Sequence, residues 1–381
     1  MLISSQRQMF DIAPEVAYLN CAYMSPLLHS VVAAGQRGVA RKAQPWKITS
    51  EDFFSESNLA RKLFARIINA KAGDIAIVPS VSYGIGIAAA NLKLDRHQHI
   101  LLLDEQFPSN VYPWRHLAAN HMASVISVTS GHGQSLSQCV LDSIGRNTAI
   151  VALPHCRWTD GALLDLVAIG RRCREVGAAL VLDLTQSAGA LPFDAQAVDP
   201  DFLICACYKW LLGPYSLGFT YVAPRWQQGQ PLEQGWISRA GSEDFSRLVD
   251  YQDHLHSGAT RFDMGERSNF HLMPMATTAL QQILNWGVEN IAETLGAMTG
   301  EMVDRASKLG LTYLPEHERP GHYLGIGFPG GMPKNLLPRL AASGVYVSVR
   351  GNSMRITPHL FNNSEDVGRL FESLGKLLQP A

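Results

Sequence analysis

Residues Ala179–Val222 read ALVLDLTQSAGALPFDAQAVDPDFLICACYKWLLGPYSLGFTYV. Three apolar runs punctuate this stretch: Ala179–Leu184 (ALVLDL), Phe202–Cys207 (FLICAC) and Leu217–Val222 (LGFTYV). Each is strand-sized, and none alternates strictly between apolar and polar residues. Near-continuous apolar runs of this length predict strands covered on both faces, as in a mainly parallel sheet enclosed by helices.

The rhythm continues upstream. Ile75–Val78, His99–Leu103, Ser124–Val128 and Thr148–Leu153 are further strand candidates, with a helical stretch at Gly84–Leu92. Leu163, Leu164, Val167, Cys173 and Val176 form a helical stripe that stops at Gly177. Strands alternating with helices predict an α/β fold. Beyond about Phe270 the pattern changes. Helices are expected over Met273–Trp286 and Val288–Lys308, strands over Tyr323–Phe328, Val345–Arg350 and Ser353–Thr357, and a closing helix over Glu365–Leu378. The predicted division is an N-terminal segment (1–30) packing on a small domain or at a dimer interface, a large domain (31–272), and a helical connection with a smaller α+β domain (273–381).

The 381 residues exceed one ordinary core. With 46% hydrophobic and 17% charged residues the chain reads as globular, and a net charge of −1 gives no global attraction to nucleic acid or anionic membrane. The opening MLISSQRQMFDIAPE lacks a long apolar run, and no stretch approaches the roughly 18 apolar residues of a membrane span. The six cysteines (21, 139, 156, 173, 205, 207) are scattered without a C-x-x-C pair, as expected for reduced thiols in a cytoplasmic protein with no metal site.

Within this frame a few residues carry chemistry. Lys209 follows an apolar strand and precedes a glycine turn, where burial favours a neutral, nucleophilic amine. Asp183 interrupts ALVLDL, and a carboxylate there needs a partner. Gln186, three residues on, can donate to a ligand oxygen. Ser80-Val-Ser-Tyr-Gly84 opens a helix, so Ser82 and Tyr83 sit where free N–H groups meet an anion. Tyr208 adds a phenol. Each feature has an ordinary alternative: a solvent-reaching lysine, a salt-bridged acid, a simple N-cap serine. Together they meet the demands of pyridoxal 5′-phosphate (PLP): a lysine for the Schiff base, an acid for the ring nitrogen, and donors for the phosphate.

The segment DLTQSAGALPFDAQAVDPDFLICACYKWLLGP resembles the cofactor segment of class V aminotransferase-fold enzymes, part of the fold-type I PLP-dependent superfamily with kynureninases, cysteine desulfurases and isopenicillin N epimerase-like proteins. Their pattern is Asp-x-x-Gln, then a His/Tyr-Lys pair and Gly-Pro; here Asp183 and Lys209 are 26 residues apart, as in that family. AYLNCAYMSPL (17–27) is similar to the family's N-terminal segment and offers Tyr23 as a substrate contact. DEQFPSNVYPW (104–114) resembles the segment bearing the ring-stacking residue, which implies Phe107. RFDMGERSNFHLMP (261–274) resembles the loop that supplies a phosphate donor from the partner subunit, which implies a homodimer with shared active sites and Ser268 or Asn269 as the donor. GVYVSVRGNSMRITPHLFNN (344–363) resembles the segment whose arginine binds the substrate carboxylate, which implies Arg355. His155, Arg157 and Trp158 follow a strand's C-terminal end, where open α/β sheets place ligands, so His155 and Trp158 are further candidates.

The departures are informative. Desulfurases carry a cysteine just before the substrate arginine, and none lies between Val345 and Arg355. Tyr208-Lys209 is closer to kynureninases than to the His-Lys of desulfurases. Trp-Leu-Leu-Gly-Pro-Tyr after the lysine is closer to epimerase-like relatives, and the desulfurase serine three before the lysine is Ala206. The expectation is a PLP enzyme acting on an amino acid as a lyase or epimerase-like catalyst. Aminotransferase and desulfurase or selenocysteine lyase-like activities are the alternatives, as is a non-catalytic PLP-fold binding or regulatory protein. If a persulfide forms at all, Cys156 is the expected carrier. A Rossmann-type nucleotide enzyme is disfavoured because no G-x-G-x-x-G follows an early strand.

Overall fold

The computed structural model describes residues 1–131 and 133–379. Twelve strands are present in it. In chain order they are β1 (Ala17–Tyr18), β2 (Ile75–Val78), β3 (His99–Leu103), β4 (Ser124–Val128), β5 (Thr148–Pro154), β6 (Ala179–Asp183), β7 (Phe202–Ala206), β8 (Gly218–Val222), β9 (Leu324–Ile326), β10 (Val345–Tyr346), β11 (Ser348–Arg350) and β12 (Ser353–Ile356). The helices are α1 (His29–Lys42), α2 (Ser55–Ile67), α3 (Val81–Asn91), α4 (Tyr112–His121), α5 (Leu136–Ser143), α6 (Leu166–Val176), α7 (Ala195–Val198), α8 (Leu272–Trp286), α9 (Val288–Lys308), α10 (Leu336–Ala341) and α11 (Ser364–Leu378).

Seven strands form one sheet in the order β2-β8-β7-β6-β5-β3-β4. All neighbours run parallel except at β8, which is antiparallel to both β2 and β7. The apolar runs explain the burial. Along β6, Leu180 and Leu182 join one core while Val181 joins the other; along β7, Leu203 and Cys205 face one way and Phe202, Ile204 and Ala206 the other. This is the two-residue period of a strand with apolar cover on both sides. Residues of α2, α6 and α8 fill the first layer, and those of α3 and α4 the second. Edge strand β4 is exposed at three of its five positions, where its serines face water.

Strand order reverses between β3 and β5, since β3 leads outward to β4 while β5 leads to β6 and β7. Open sheets leave a crevice at such a reversal, outside the carboxyl ends of the strands. A third apolar cluster lies apart, built from β9–β12, α9, α10 and α11 with Ala17 and Leu19. There β11-β12-β9 form an antiparallel sheet, and β1 pairs in parallel with β10. The N-terminal segment is thus stitched to the smaller sheet.

Three of the differences in boundaries from the sequence reading have a visible cause. Helix α3 starts at Val81, because the Ser80 hydroxyl accepts the Tyr83 amide as its cap. Leu163 and Leu164 precede α6, which begins only after Asp165 caps the Ala168 amide. The run Val345–Arg350 breaks at Val347, since β10 pairs with β1 and β11 with β12.

Candidate active site

The segments leaving β2, β3, β5, β6 and β7 converge on a cavity of about 290 Å³ at the strand reversal. That is near the lower end of the roughly 300–1,000 Å³ typical of small-molecule sites. Its wall includes Ser82, Phe107, Trp158, Asp183, Gln186 and Lys209. A second lobe of about 260 Å³ shares Phe107, Trp158, Tyr208 and Lys209 and adds Tyr23, Arg350 and Arg355.

Lys209 lies just past β7, in a turn closed by the Leu212 amide donating to the Lys209 carbonyl and the Gly213 amide donating to the Cys207 carbonyl. Leu212 takes φ +54° there and Ser216 φ +63°, a left-handed backbone that non-glycine residues adopt at an energetic cost. The turn buries the lysine. Desolvation pushes its amine down to about 8; the Asp183 carboxylate opposes that fall and the Arg355 guanidinium adds to it. Nζ lies 5.5 Å from the Phe107 ring centre and 5.6 Å from that of Tyr208.

Asp183 ends β6. Burial raises its carboxyl above the ordinary range, against the Thr185 hydrogen bonds and the Lys209 charge. Its Oδ1 accepts the Thr185 amide at 3.0 Å, and Oδ2 makes no hydrogen bond among the described residues. A buried carboxylate with one open oxygen fits a protonated ring nitrogen. Gln106, also on the cavity wall, has a buried Nε2 that finds no partner among the described residues. The first turn of α3 presents Val81 and Ser82, with Ser109 donated to by the Ser82 hydroxyl at 2.9 Å. This helix can approach because residue 84 is glycine: a Cβ there would stand 2.6 Å from Thr220 Oγ1 and 2.8 Å from Ile204 Cγ1. The cavity thus offers an amine, an acid, an aromatic wall and an anion-binding helix start, and it fits PLP.

Trp158 sits edge-on to Phe107 at 5.3 Å, and its indole N–H donates to the Glu105 carbonyl at 2.5 Å. Arg355 is about 1% exposed. Its Nε donates to Ser348 Oγ at 2.9 Å and its Nη1 to the Trp158 carbonyl at 2.9 Å; Nη2 makes no hydrogen bond among the described residues. The Tyr323 hydroxyl braces the same carbonyl. Gly325 on β9 lets this loop in, since a Cβ would stand 2.5 Å from the Asp160 carbonyl.

Three expectations, for Tyr83, His155 and Cys156, are corrected by the placement, and those for Gln186, Ser268 and Asn269 are narrowed. The Tyr83 side chain turns away on α3 and donates to Glu233 at 2.8 Å, outside the cavity wall. His155 packs against Phe193 with Nδ1 buried and unpartnered; the strand's alternation aims it behind the sheet. Cys156 is buried, its thiol directed to the Gln186 carbonyl at 3.5 Å rather than to the cavity. Gln186 spends its oxygen on the Trp210 indole and one amide hydrogen on the Ala22 carbonyl, so only the second hydrogen is left for a ligand. Ser268 and Asn269 line a different cavity with Lys42 and Trp236, so within one chain they do not meet Lys209.

Sequence reasoning missed Gln106, Thr185, Arg350 and Tyr323. Gln106 adjoins Phe107 and Thr185 lies between Asp183 and Gln186, so position next to a chosen residue was the available signal. Tyr323 carried none, because its role depends on a loop about 165 residues away.

A family model described as Aminotransferase class-V matches residues 26–367. An uncharacterized aminotransferase, YcbU of Bacillus subtilis, is 25% identical over 374 residues, covering 97% of this chain and 96% of that protein. A kynureninase of Pseudomonas fluorescens is 25% identical, covering 98% of this chain and 91% of that protein. Among solved structures, a variant of C-DES with glycine covalently linked to its PLP cofactor superposes with a TM-score of 0.87 at 18% identity, covering 99% and 100% of the two chains.

Proposed function

This chain belongs to the class-V aminotransferase family and is a PLP-dependent enzyme; on that footing we propose that it is a lyase or epimerase-like catalyst acting on an amino acid, with Lys209 as the cofactor lysine and Arg355 as the carboxylate anchor. The observation that carries the reading is that Lys209 and Arg355 open on one cavity lobe while, among the described residues, no cysteine thiol lines it. Five of the six cysteines are buried, and burial pushes the Cys21, Cys156, Cys173, Cys205 and Cys207 thiols up, away from the reactive thiolate.

PLP supplies an electron sink for bonds at the substrate's Cα when bound. The chain's own groups do the rest. Lys209 would hold the cofactor and stands where its amine can move the Cα proton. Asp183 holds the ring nitrogen, Phe107 and Trp158 cover the site against water, and Tyr208 stands beside the lysine. Ser82 and the start of α3 hold the phosphate, with Ser268 or Asn269 of the partner subunit closing the shared site in a homodimer. Arg355 presents its free Nη2 to the substrate carboxylate. We take residues 31–272 as the cofactor domain and 273–381, with the first 30 residues, as the part that brings Arg355.

Lyase chemistry ranks first. Epimerisation requires a second proton carrier, and Tyr23 and Tyr215 on the second lobe keep that reading alive. Among the described residues, no helix is long and apolar enough to cross a membrane, and we propose a cytoplasmic enzyme. The test is incubation with single L-amino acids in deuterated water, with mass spectrometry and chiral chromatography of the products. Loss of a side-chain substituent marks a lyase, and a deuterated D-isomer an epimerase. Exchange with no amino acid in a broad panel would refute both.

A further inference from the structure

The second lobe holds one more cation than an ordinary amino acid needs. In the β11–β12 hairpin Ser348 opposes Arg355, and Arg350 lies two residues along from Ser348. Strand periodicity therefore sets Arg350 and Arg355 on one face, as diagonal neighbours. Their guanidinium carbons stand 5.5 and 5.8 Å from the Trp158 ring centre, and both line the lobe with Lys209.

Among the described residues, no acid lines that lobe. Arg350 gives one Nη1 hydrogen to the Val349 carbonyl, and Arg355 is held by Ser348 and the Trp158 carbonyl. Among the described residues, neither has a carboxylate partner. Arg350 also borders a second cleft that Glu105 and Asp160 line, but Asp160 is bridged there to Arg157 at 2.5 Å and, among the described residues, neither acid forms an ion pair with Arg350. The charged and titratable groups acting on Arg350 are Arg355 and the phenols of Tyr323 and Tyr23. Two like charges thus face one lobe with no counter-charge of their own, and one carboxylate held by the buried Arg355 leaves the other uncompensated.

We infer that the substrate is an amino acid whose side chain bears a second anionic group, and that Arg350 binds it. This rests on Arg355 taking the α-carboxylate, as proposed above. Arg350 is half-exposed, so its contribution is set at the lower end for a hydrogen bond to a charged group, about tenfold in affinity.

The test uses the PLP-loaded enzyme and two readouts. Calorimetry compares succinate and glutarate with butyrate and valerate. The cofactor's visible band reports titration with L-aspartate and L-glutamate against L-alanine and L-norvaline. Dicarboxylates should bind at least about tenfold more tightly. Arg350→Met should erase that preference while leaving monocarboxylate affinity within about twofold, and Arg350→Lys should restore part of it. Equal affinity for the two classes, or a preference that survives Arg350→Met in a folded variant, overturns the inference. Tight dicarboxylate binding with no amino acid moving the band would leave Arg350's role standing and instead refute the amino-acid reading.

Discussion

The sharpest consequence of the site concerns Lys209 before any cofactor binds. An ordinary lysine amine titrates at 10.5, whereas burial brings this one to about 8. The difference corresponds to about 3 kcal/mol of disfavoured charge. At pH 7.5 a sizeable fraction of the amine is then neutral, against about a thousandth of a free lysine, a gain on the order of a hundredfold in nucleophile. Competitive labelling of the apo-protein with acetic anhydride, read as acetylation of the Lys209 peptide by mass spectrometry, should rise to a plateau with a midpoint near pH 8. The Asp183 carboxylate holds the value up, so Asp183→Asn should move the midpoint to lower pH. A wild-type midpoint above pH 9.5, or an upward move in Asp183→Asn, would refute the reasoning that burial governs this amine.

In turnover Asp183→Asn should lower kcat by about 100-fold or more while retaining the cofactor, because the ring nitrogen loses its charged partner; near-normal kcat rules the role out. Arg355→Met should weaken substrate binding by about 100-fold, yet reduce stability by only about 1–3 kcal/mol, since Ser348 Oγ still meets Asn20 and the Trp158 carbonyl still meets Tyr323. A thermal melt and a substrate titration of one variant separate the two effects. Acid should destabilise the fold through His322 and His359, whose burial pushes them down to about 4 and about 3. Their stabilising contribution is whole above the unfolded value near 6.5 and is lost as pH falls, by about 2 kcal/mol for each at pH 5; denaturant midpoints that match at pH 7.5 and 5 would contradict this. After incubation with L-cysteine the intact mass should be unchanged, and a turnover-dependent gain of one sulfur on any cysteine would overturn the lyase reading.

The fold was legible because its strands bury both faces. Runs such as ALVLDL and FLICAC leave no polar face to solvate, so length and hydrophobicity alone place them in a covered parallel sheet. The exception teaches the same point: Ser124–Val128 keeps two serines and lies at the exposed edge. Pairing partners were less legible. Val345–Arg350 looks like one strand, but hydrogen bonding to β1 over Val345–Tyr346 and to β12 over Ser348–Arg350 splits it. That division depends on a segment more than 300 residues away in the chain.

In the site, residues on strand ends and in the turn after β7 were readable, and loop residues only in part: Phe107 and Trp158 were named, Gln106 and Thr185 were not. Asp183 ends β6 and Lys209 lies in the turn just past β7, so naming the strand nearly names the side chain's position. His155 and Cys156 were chosen by the same rule and miss the cavity, because two consecutive residues past a strand leave in different directions and only Trp158, two further on, returns to Phe107. Tyr83 fails for the helical counterpart of that reason: one residue beyond Ser82 is about 100° of rotation, enough to exchange a cavity for Glu233. Arg350 was missed because no single strand marks it. Its relation to Arg355 exists only once β11 and β12 are paired in register, and that pairing sets two guanidiniums around one indole. A strand end locates the reacting groups; the groups that choose the substrate are located by pairings between segments, which only the folded chain reveals.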